Sequence, residues 1–169
     1  PTQVPHTYDS CEDTECNVCG TLREAGVCVD TDENGICDVC GSKYVAKATI
    51  DFTTQGYTNA QAIASADIGS IAKVTFSNGK YYDSGTAIRA YSGSTITITA
   101  VDGYVITGIN IVNKPDKTSN TLTSNCGAWD GDSWTGSSNT VTFTVGGSSG
   151  HAKIQSITVH CEKADDVTD

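Results

Sequence analysis

Methionine is absent from this chain, proline occurs only three times, and aromatic residues make up 7% of it. A chain so poor in methionine and so rich in serine, threonine, glycine and asparagine does not read as a helical cytosolic enzyme; it reads as an exported, β-rich protein. No apolar run approaches the roughly 20 residues that cross a bilayer, which argues against insertion into a membrane. The start also lacks the basic and apolar regions of a signal peptide, so the sequence is expected to be a mature or excised fragment. Basic residues are scarce as well: ten Lys and Arg face twenty Asp and Glu, for a net charge of −10. No basic stripe of the kind that neutralises phosphates stands out, and nucleic acid is therefore not an expected partner.

The acidity is concentrated. Residues 1–40 hold nine carboxylates against the single Arg23, a net −8, so the other 129 residues carry only −2. The same segment holds six of the eight cysteines, Cys11, Cys16, Cys19, Cys28, Cys37 and Cys40, and too few apolar residues to build a core. Such a segment needs a covalent or metallic staple. At 169 residues the chain accommodates one full domain and a small satellite. The divisions expected are an acidic, cysteine-rich appendage over residues 1–43, a β-sandwich over 44–163 and an acidic tail over 164–169.

Beyond Ser42 the apolar residues alternate with period two, as half-buried strands require. Ile96, Ile98 and Ala100 lie on one face of Thr95–Ala100, and Val141, Phe143 and Val145 repeat the pattern. Further strands are expected at Ala48–Thr53, Ile71–Phe76, Lys80–Tyr82, Thr86–Tyr91, Tyr104–Val112 and Ala152–Cys161. Eight short strands fit a jelly-roll-like sandwich, so the fold class expected is all-β. In the last strand the apolar parity changes between Ile154 and Ile157, which predicts a bulge near Gln155–Ser156. Asn78-Gly79 suggests a tight hairpin. Thr58–Ala66 suggests a short helix with Thr58 as its N-cap.

Within the appendage two knuckles, Cys16-Asn17-Val18-Cys19-Gly20 and Cys37-Asp38-Val39-Cys40-Gly41, give the pattern C-x2-C-x17-C-x2-C. Four thiolates at that spacing can close a tetrahedral zinc or iron site. Cys11 and Cys28 complete an alternative of three disulfides, favoured by export, and His6 with Cys11, Cys16 and Cys19 makes a third ligand set. All three readings are structural. Overlapping the second knuckle, Asp30, Asp32, Asn34 and Asp38 fall at positions 1, 3, 5 and 9 of a calcium loop, with Gly35 at position 6 and the Ile36 carbonyl at position 7. Gly41 stands where a bidentate glutamate normally closes such a loop, which predicts weaker binding; a solvated acidic turn is the alternative.

The stretch from His6 to Gly41, with its His-Thr-Tyr-Asp start, its Cys-Asn-Val-Cys-Gly knuckle and its Asp-x-Asp-x-Asn-Gly-x-Cys-Asp-x-Cys-Gly close, resembles cysteine-rich repeats in surface proteins of anaerobic Gram-positive bacteria. Residues 48–160 resemble a β-sandwich accessory module of extracellular bacterial nucleases and polysaccharide-degrading proteins. The similar stretches are Gln55-Gly56-Tyr57-Thr58-Asn59, Tyr81-Tyr82-x-x-Gly85-Thr86-Ala87-Ile88-Arg89 and Val141-Thr142-Phe143-Thr144-Val145-Gly146-Gly147. The resemblance implies export and adhesion, and it assigns neither a ligand nor a catalytic residue.

His6, His151 and His160 sit in no hydrolase motif, and Asp130 and Asp132 share one glycine-rich loop instead of flanking a cleft. No enzyme is expected. That loop also carries both tryptophans, Trp129 and Trp134, and indoles beside carboxylates suit stacking on sugar rings, although either could cap the sandwich instead. Tyr81, Tyr82 and Tyr91 are further candidates for a sugar platform or for packing. Arg89 could bond a ligand or pair with an acid such as Asp83. Cys126 and Cys161 are expected as a disulfide worth about 3–4 kcal/mol by chain entropy. The function expected is a secreted bacterial carbohydrate-binding or surface-adhesion module that uses calcium, with zinc as a second cofactor and a polysaccharide or cell-surface glycan as its partner. The alternative is a fibre or surface-layer subunit that binds copies of itself head-to-tail through the appendage.

Overall fold

A computed structural model describes residues 14–22, 29–41, 43–85, 87–114 and 118–164. His6, Cys11, Cys28 and all of the acidic tail but Ala164 lie outside the described residues. The chain divides into two compact units, Pro1–Ala46 and Lys47–Asp169, so the division falls three residues beyond the expected one.

The second unit is the all-β sandwich. Two antiparallel sheets carry the strands β1 (Val45–Asp51), β2 (Ser65–Ile68), β3 (Ala72–Phe76), β4 (Gly79–Tyr82), β5 (Ala87–Tyr91), β6 (Thr95–Ala100), β7 (Tyr104–Asn113), β8 (Leu122–Ser124), β9 (Ala128–Trp129), β10 (Ser133–Ser138), β11 (Thr140–Val145) and β12 (His151–Lys163). One sheet runs β4-β5-β12-β7-β10-β9 with β1 also on β12, and the other runs β2-β3-β6-β11-β8. All eight expected strands are present, and β2, β8, β9 and β10 are additional.

Alternation builds the core. Val74 and Phe76 of β3, Ile96 and Ile98 of β6, and Val141, Phe143 and Val145 of β11 are buried, while their neighbours in sequence face outward. Each such side chain contributes about 1.5–3 kcal/mol of transfer free energy. The bulge expected in the last strand is there: the pairing of β12 with β7 shifts between Ile154 and Ser156. The extra residue lets Ala152 and Ile154 before it, and Ile157, Val159 and Cys161 after it, all point into the core.

Two local expectations are corrected. Thr58–Ala66 is not a helix. Thr58 and Gln61 do bond reciprocally, Gln61 N–H to the Thr58 carbonyl at 3.0 Å and Thr58 N–H to Gln61 Oε1 at 2.9 Å. The chain then leaves the helical path at Ala60, whose φ is +64°. Ala60 N–H donates to the Tyr81 carbonyl, and Tyr81 N–H donates to that of Gln61. Pairing with the edge of β4 takes the backbone groups that a helix would have used.

Asn78-Gly79 is not a hairpin either, because β3 and β4 belong to different sheets and the pair carries the chain between them. Gly79 is required for space: a Cβ there would meet Phe76 Cβ at 2.9 Å and the Ile63 carbonyl at 3.3 Å.

Candidate functional site

Both knuckles of the first unit fold alike. Glu15 bridges Leu22 and, 21 residues on, Ile36 bridges Lys43. Gly20 N–H returns to the Cys16 carbonyl and Gly41 N–H to that of Cys37. In each, the first cysteine is buried and the second lies further out. Each knuckle therefore closes on itself, and Cys16, Cys19, Cys37 and Cys40 do not gather into one metal-sized cluster. A single four-sulfur zinc or iron centre, one of the arrangements expected from the spacing, is not assembled.

The cluster that does form among the described residues is acidic. Oxygen atoms of Asp30, Asp32 and Asp38 lie within 4.8 Å of one another. The chain positions them through its own amides. Asn34 N–H and Gly35 N–H donate to the two Asp30 oxygens at 3.0 and 2.9 Å, and Thr31 N–H donates to Asp38 Oδ2 at 2.8 Å. Bonds from the Thr31 backbone and hydroxyl hold the Asp38 carboxyl below the usual carboxylate range. Gly35 takes the turn at φ +81°.

Of the five calcium ligands expected, three are thus brought together. Asn34 instead turns its amide nitrogen to Asp32 Oδ2 at 2.9 Å and its oxygen to Ile36 N–H at 2.7 Å. The Ile36 backbone pairs with Lys43. Three carboxylates this close form a group that could hold a metal ion.

In the second unit the tryptophan loop is a hairpin of β9 and β10, with Trp129 and Trp134 directly opposite in register. Asp130 makes the turn: its Oδ1 accepts from Ser133 N–H at 2.8 Å and Asp132 N–H at 3.0 Å, which lowers its pKa. Asp132 lies outside the cleft described next. Its carbonyl accepts from Ile111 N–H, which ties the hairpin to β7.

Trp134 is core, not ligand surface. It is 1% exposed, and its indole N–H donates to the Cys126 carbonyl at 2.6 Å. A Cβ on Gly127 or Gly136 would fall within 2.8 Å of its ring, so the two glycines make its slot.

Trp129 differs. It is half-buried, meets Phe143 edge-on at 4.8 Å and donates to the Leu122 carbonyl at 3.0 Å. It lines a cleft of about 400 Å³ together with Asn113, Lys114, Asn120, Leu122 and Asp130. Asn120 is a strut here, its amide nitrogen donating to the Gly146 and Ser149 carbonyls at 2.9 and 2.8 Å. Asn113 Oδ1 is buried with no hydrogen-bond partner. A buried acceptor left open costs about 1–3 kcal/mol until a donor reaches it.

Asn113 was not singled out by the sequence reading, yet the signal exists. It continues the parity of the buried Ile109 and Ile111 and so places an amide on the core face of β7.

The remaining candidates separate. Tyr81 is 7% exposed and packs on Tyr57 with ring centroids 5.6 Å apart, a core role that removes it from the ligand surface. Tyr82 faces outward on β4, where Arg89 stacks 3.9 Å above its ring. Arg89 is therefore held by an aromatic ring and not by Asp83. The disulfide expected between Cys126 and Cys161 is not formed: both are free thiols. Cys161 is fixed in the interior opposite Ile106, where burial pushes its thiol up to about 11, while Cys126 is held at the turn after β8 by the Trp134 indole. No family model, no curated protein and no solved structure matches this chain.

Proposed function

We propose that this protein is a non-catalytic, secreted bacterial carbohydrate-binding or adhesion module, and that the cleft beside Trp129 receives a glycan. The observation that carries the reading is a half-exposed indole in a cleft that Asn113, whose amide oxygen is buried without a hydrogen-bond partner, also lines. The indole offers a face to the C–H side of a sugar ring, and Asn113 Oδ1 accepts a hydrogen bond from a sugar hydroxyl. Lys114 and Asp130 at the rim add one charge of each sign to orient the hydroxyls. Calcium at Asp30, Asp32 and Asp38 would stabilise the appendage and relieve its concentrated charge.

A glycan array probed with the whole chain in calcium tests this. Trp129→Ala abolishes binding, and Asn113→Ala weakens it by about tenfold, the worth of one buried hydrogen bond. An array on which the intact protein retains nothing overturns the reading.

One observation favours a second reading, head-to-tail assembly through the appendage. Val18, Leu22, Val29, Ile36 and Val39 are all between 44% and 74% exposed on an otherwise acidic unit, a surface that gains by covering. Light scattering separates the two readings: concentration-dependent growth favours assembly, and a monodisperse monomer favours glycan binding.

A further inference from the structure

The outer face of the sheet around β5 carries a feature the cleft does not use. Lys80 on β4 pairs in register with Arg89 on β5, and Arg89 pairs in register with Lys153 on β12. Register partners of antiparallel strands project from the same side of the sheet. Their neighbours in sequence, Tyr81, Ile88, Ala90, Ala152 and Ile154, are buried, so these three cations project outward. Three positive side chains thus stand in one row across three adjacent strands, over two inter-strand spacings or roughly 10 Å.

Like charges placed directly opposite one another destabilise a sheet, and this chain has only ten Lys and Arg in all. Lys153 Nζ donates to the Thr118 hydroxyl at 2.6 Å, and local conflicts between like charges are found at functional sites. Aromatic rings bracket the row. Tyr82 lies one step along the face on β4 under the Arg89 guanidinium, and its hydroxyl accepts from the Tyr91 hydroxyl at 3.4 Å. Tyr91 lies one step the other way, opposite His151 and in edge contact with it at 5.7 Å. Among the described residues the guanidinium is set by these two tyrosines, with no carboxylate paired to it.

We infer that this row binds an acidic polysaccharide, a linear chain of carboxylate-bearing sugars laid across β4, β5 and β12. Arg89 takes a sugar carboxylate through its fork of N–H donors, Lys80 and Lys153 neutralise the carboxylates on either side, and the tyrosines flank the sugar rings. Charge complementarity selects a repeated anion, and the flanking aromatic rings favour a sugar chain over an acidic peptide. The site is separate from the Trp129 cleft, and its assignment does not depend on the cleft reading.

Affinity electrophoresis of the whole chain through gels containing polygalacturonate, xylan or single-stranded DNA tests it. Wild type is retarded by polygalacturonate and not by xylan or DNA. Arg89→Gln weakens the retardation by about tenfold, the loss of one charge-assisted hydrogen bond. Lys80→Gln and Lys153→Gln, which leave the tyrosine stack in place, each weaken it to a smaller extent. Lys73→Gln removes an equal charge from an exposed position on β3 of the other sheet and changes nothing. The inference is overturned if polygalacturonate does not retard wild type, if DNA retards it equally, or if Lys73→Gln costs as much as Arg89→Gln. It is overturned too if Arg89→Gln abolishes only self-association.

Discussion

Among the described residues of Pro1–Ala46, the buried hydrophobic side chains are Cys16, Cys37 and Ala46, whereas Lys47–Asp169 buries Phe52, Phe76, Phe143, Trp134 and a layer of isoleucines and valines. The first unit also exposes Val18, Leu22, Val29, Ile36 and Val39. The sandwich is stabilised by area removed from water, spread over two sheets, so each element supports its neighbours. The appendage depends on short-range devices: two knuckles closed by their own bridges and one loop in which three backbone amides hold carboxylates. A change in the sandwich therefore propagates through a shared core, and a change in the appendage stays local in structure but removes a large share of what holds that unit.

The largest effect that would test this contrast is at Trp134. Trp134→Ala empties a slot shaped by Gly127 and Gly136 and leaves the Cys126 carbonyl without its donor. It is expected to cost the sandwich about 3–5 kcal/mol. Chemical denaturation read by amide exchange should show β7, β10 and β11 weakened together, with residues 29–41 unaffected. Equal loosening of both units would break the comparison.

Next in size is an alkaline effect confined to the sandwich. The Cys161 thiol is raised from its ordinary value near 9 to about 11 by burial in β12. The folded state keeps its proton where the unfolded chain has lost it. Stability is therefore full below about pH 9 and falls as pH rises toward 11, by about 2–3 kcal/mol in total. Denaturant midpoints measured across that interval should decline for wild type and decline less for Cys161→Val, which has no proton to lose. Parallel curves would refute this origin.

The contrast also governs what could be read from the chain beforehand. Period-two alternation is strong where one face meets a core, so β3, β6, β11 and β12, with the bulge at Ile154–Ser156, were legible. The strands that escaped, β2 and β8 to β10, are short or built of glycine, serine and threonine, and tertiary pairing alone makes them strands.

Asn78-Gly79 misled because the same dipeptide that favours a tight turn also serves where two backbones crowd, and only the fold shows Phe76 and Ile63 at that spot. The candidate site was half legible. An indole on a loop drew attention to both tryptophans, but composition does not distinguish Trp134, which the glycine-walled slot takes into the core, from Trp129, its register partner, which lines a cleft. The basic row was invisible because Lys80, Arg89 and Lys153 meet only through strand pairing across 73 residues of sequence.

The smallest effect sharpens the comparison most, because the same device occurs in both units. Asp38 is held below the usual carboxylate range by Thr31, and Asp130 by the Ser133 and Asp132 amides. For a depressed carboxyl pKa, the stabilisation is present above the unfolded value and is lost as pH falls through the folded one. Both turns should therefore loosen on acidification from neutral pH to about 3. Their surroundings differ. The Asp130 turn joins β9 to β10, whose Trp134 stays buried whatever the charge on the carboxyl, so only Asp132 and Ser133 should lose exchange protection. The Asp38 bond closes a loop in which Cys37 is the one buried hydrophobic side chain among the described residues 29–41, so protection should fall at Thr31, Asn34, Gly35 and Ile36 together. Asp38→Asn at neutral pH should reproduce that loss, and Asp130→Asn should affect its own turn alone. If the acid-treated sandwich loses β9 and β10 as a unit while the appendage keeps its protection, the roles assigned to burial and to local bonds are reversed.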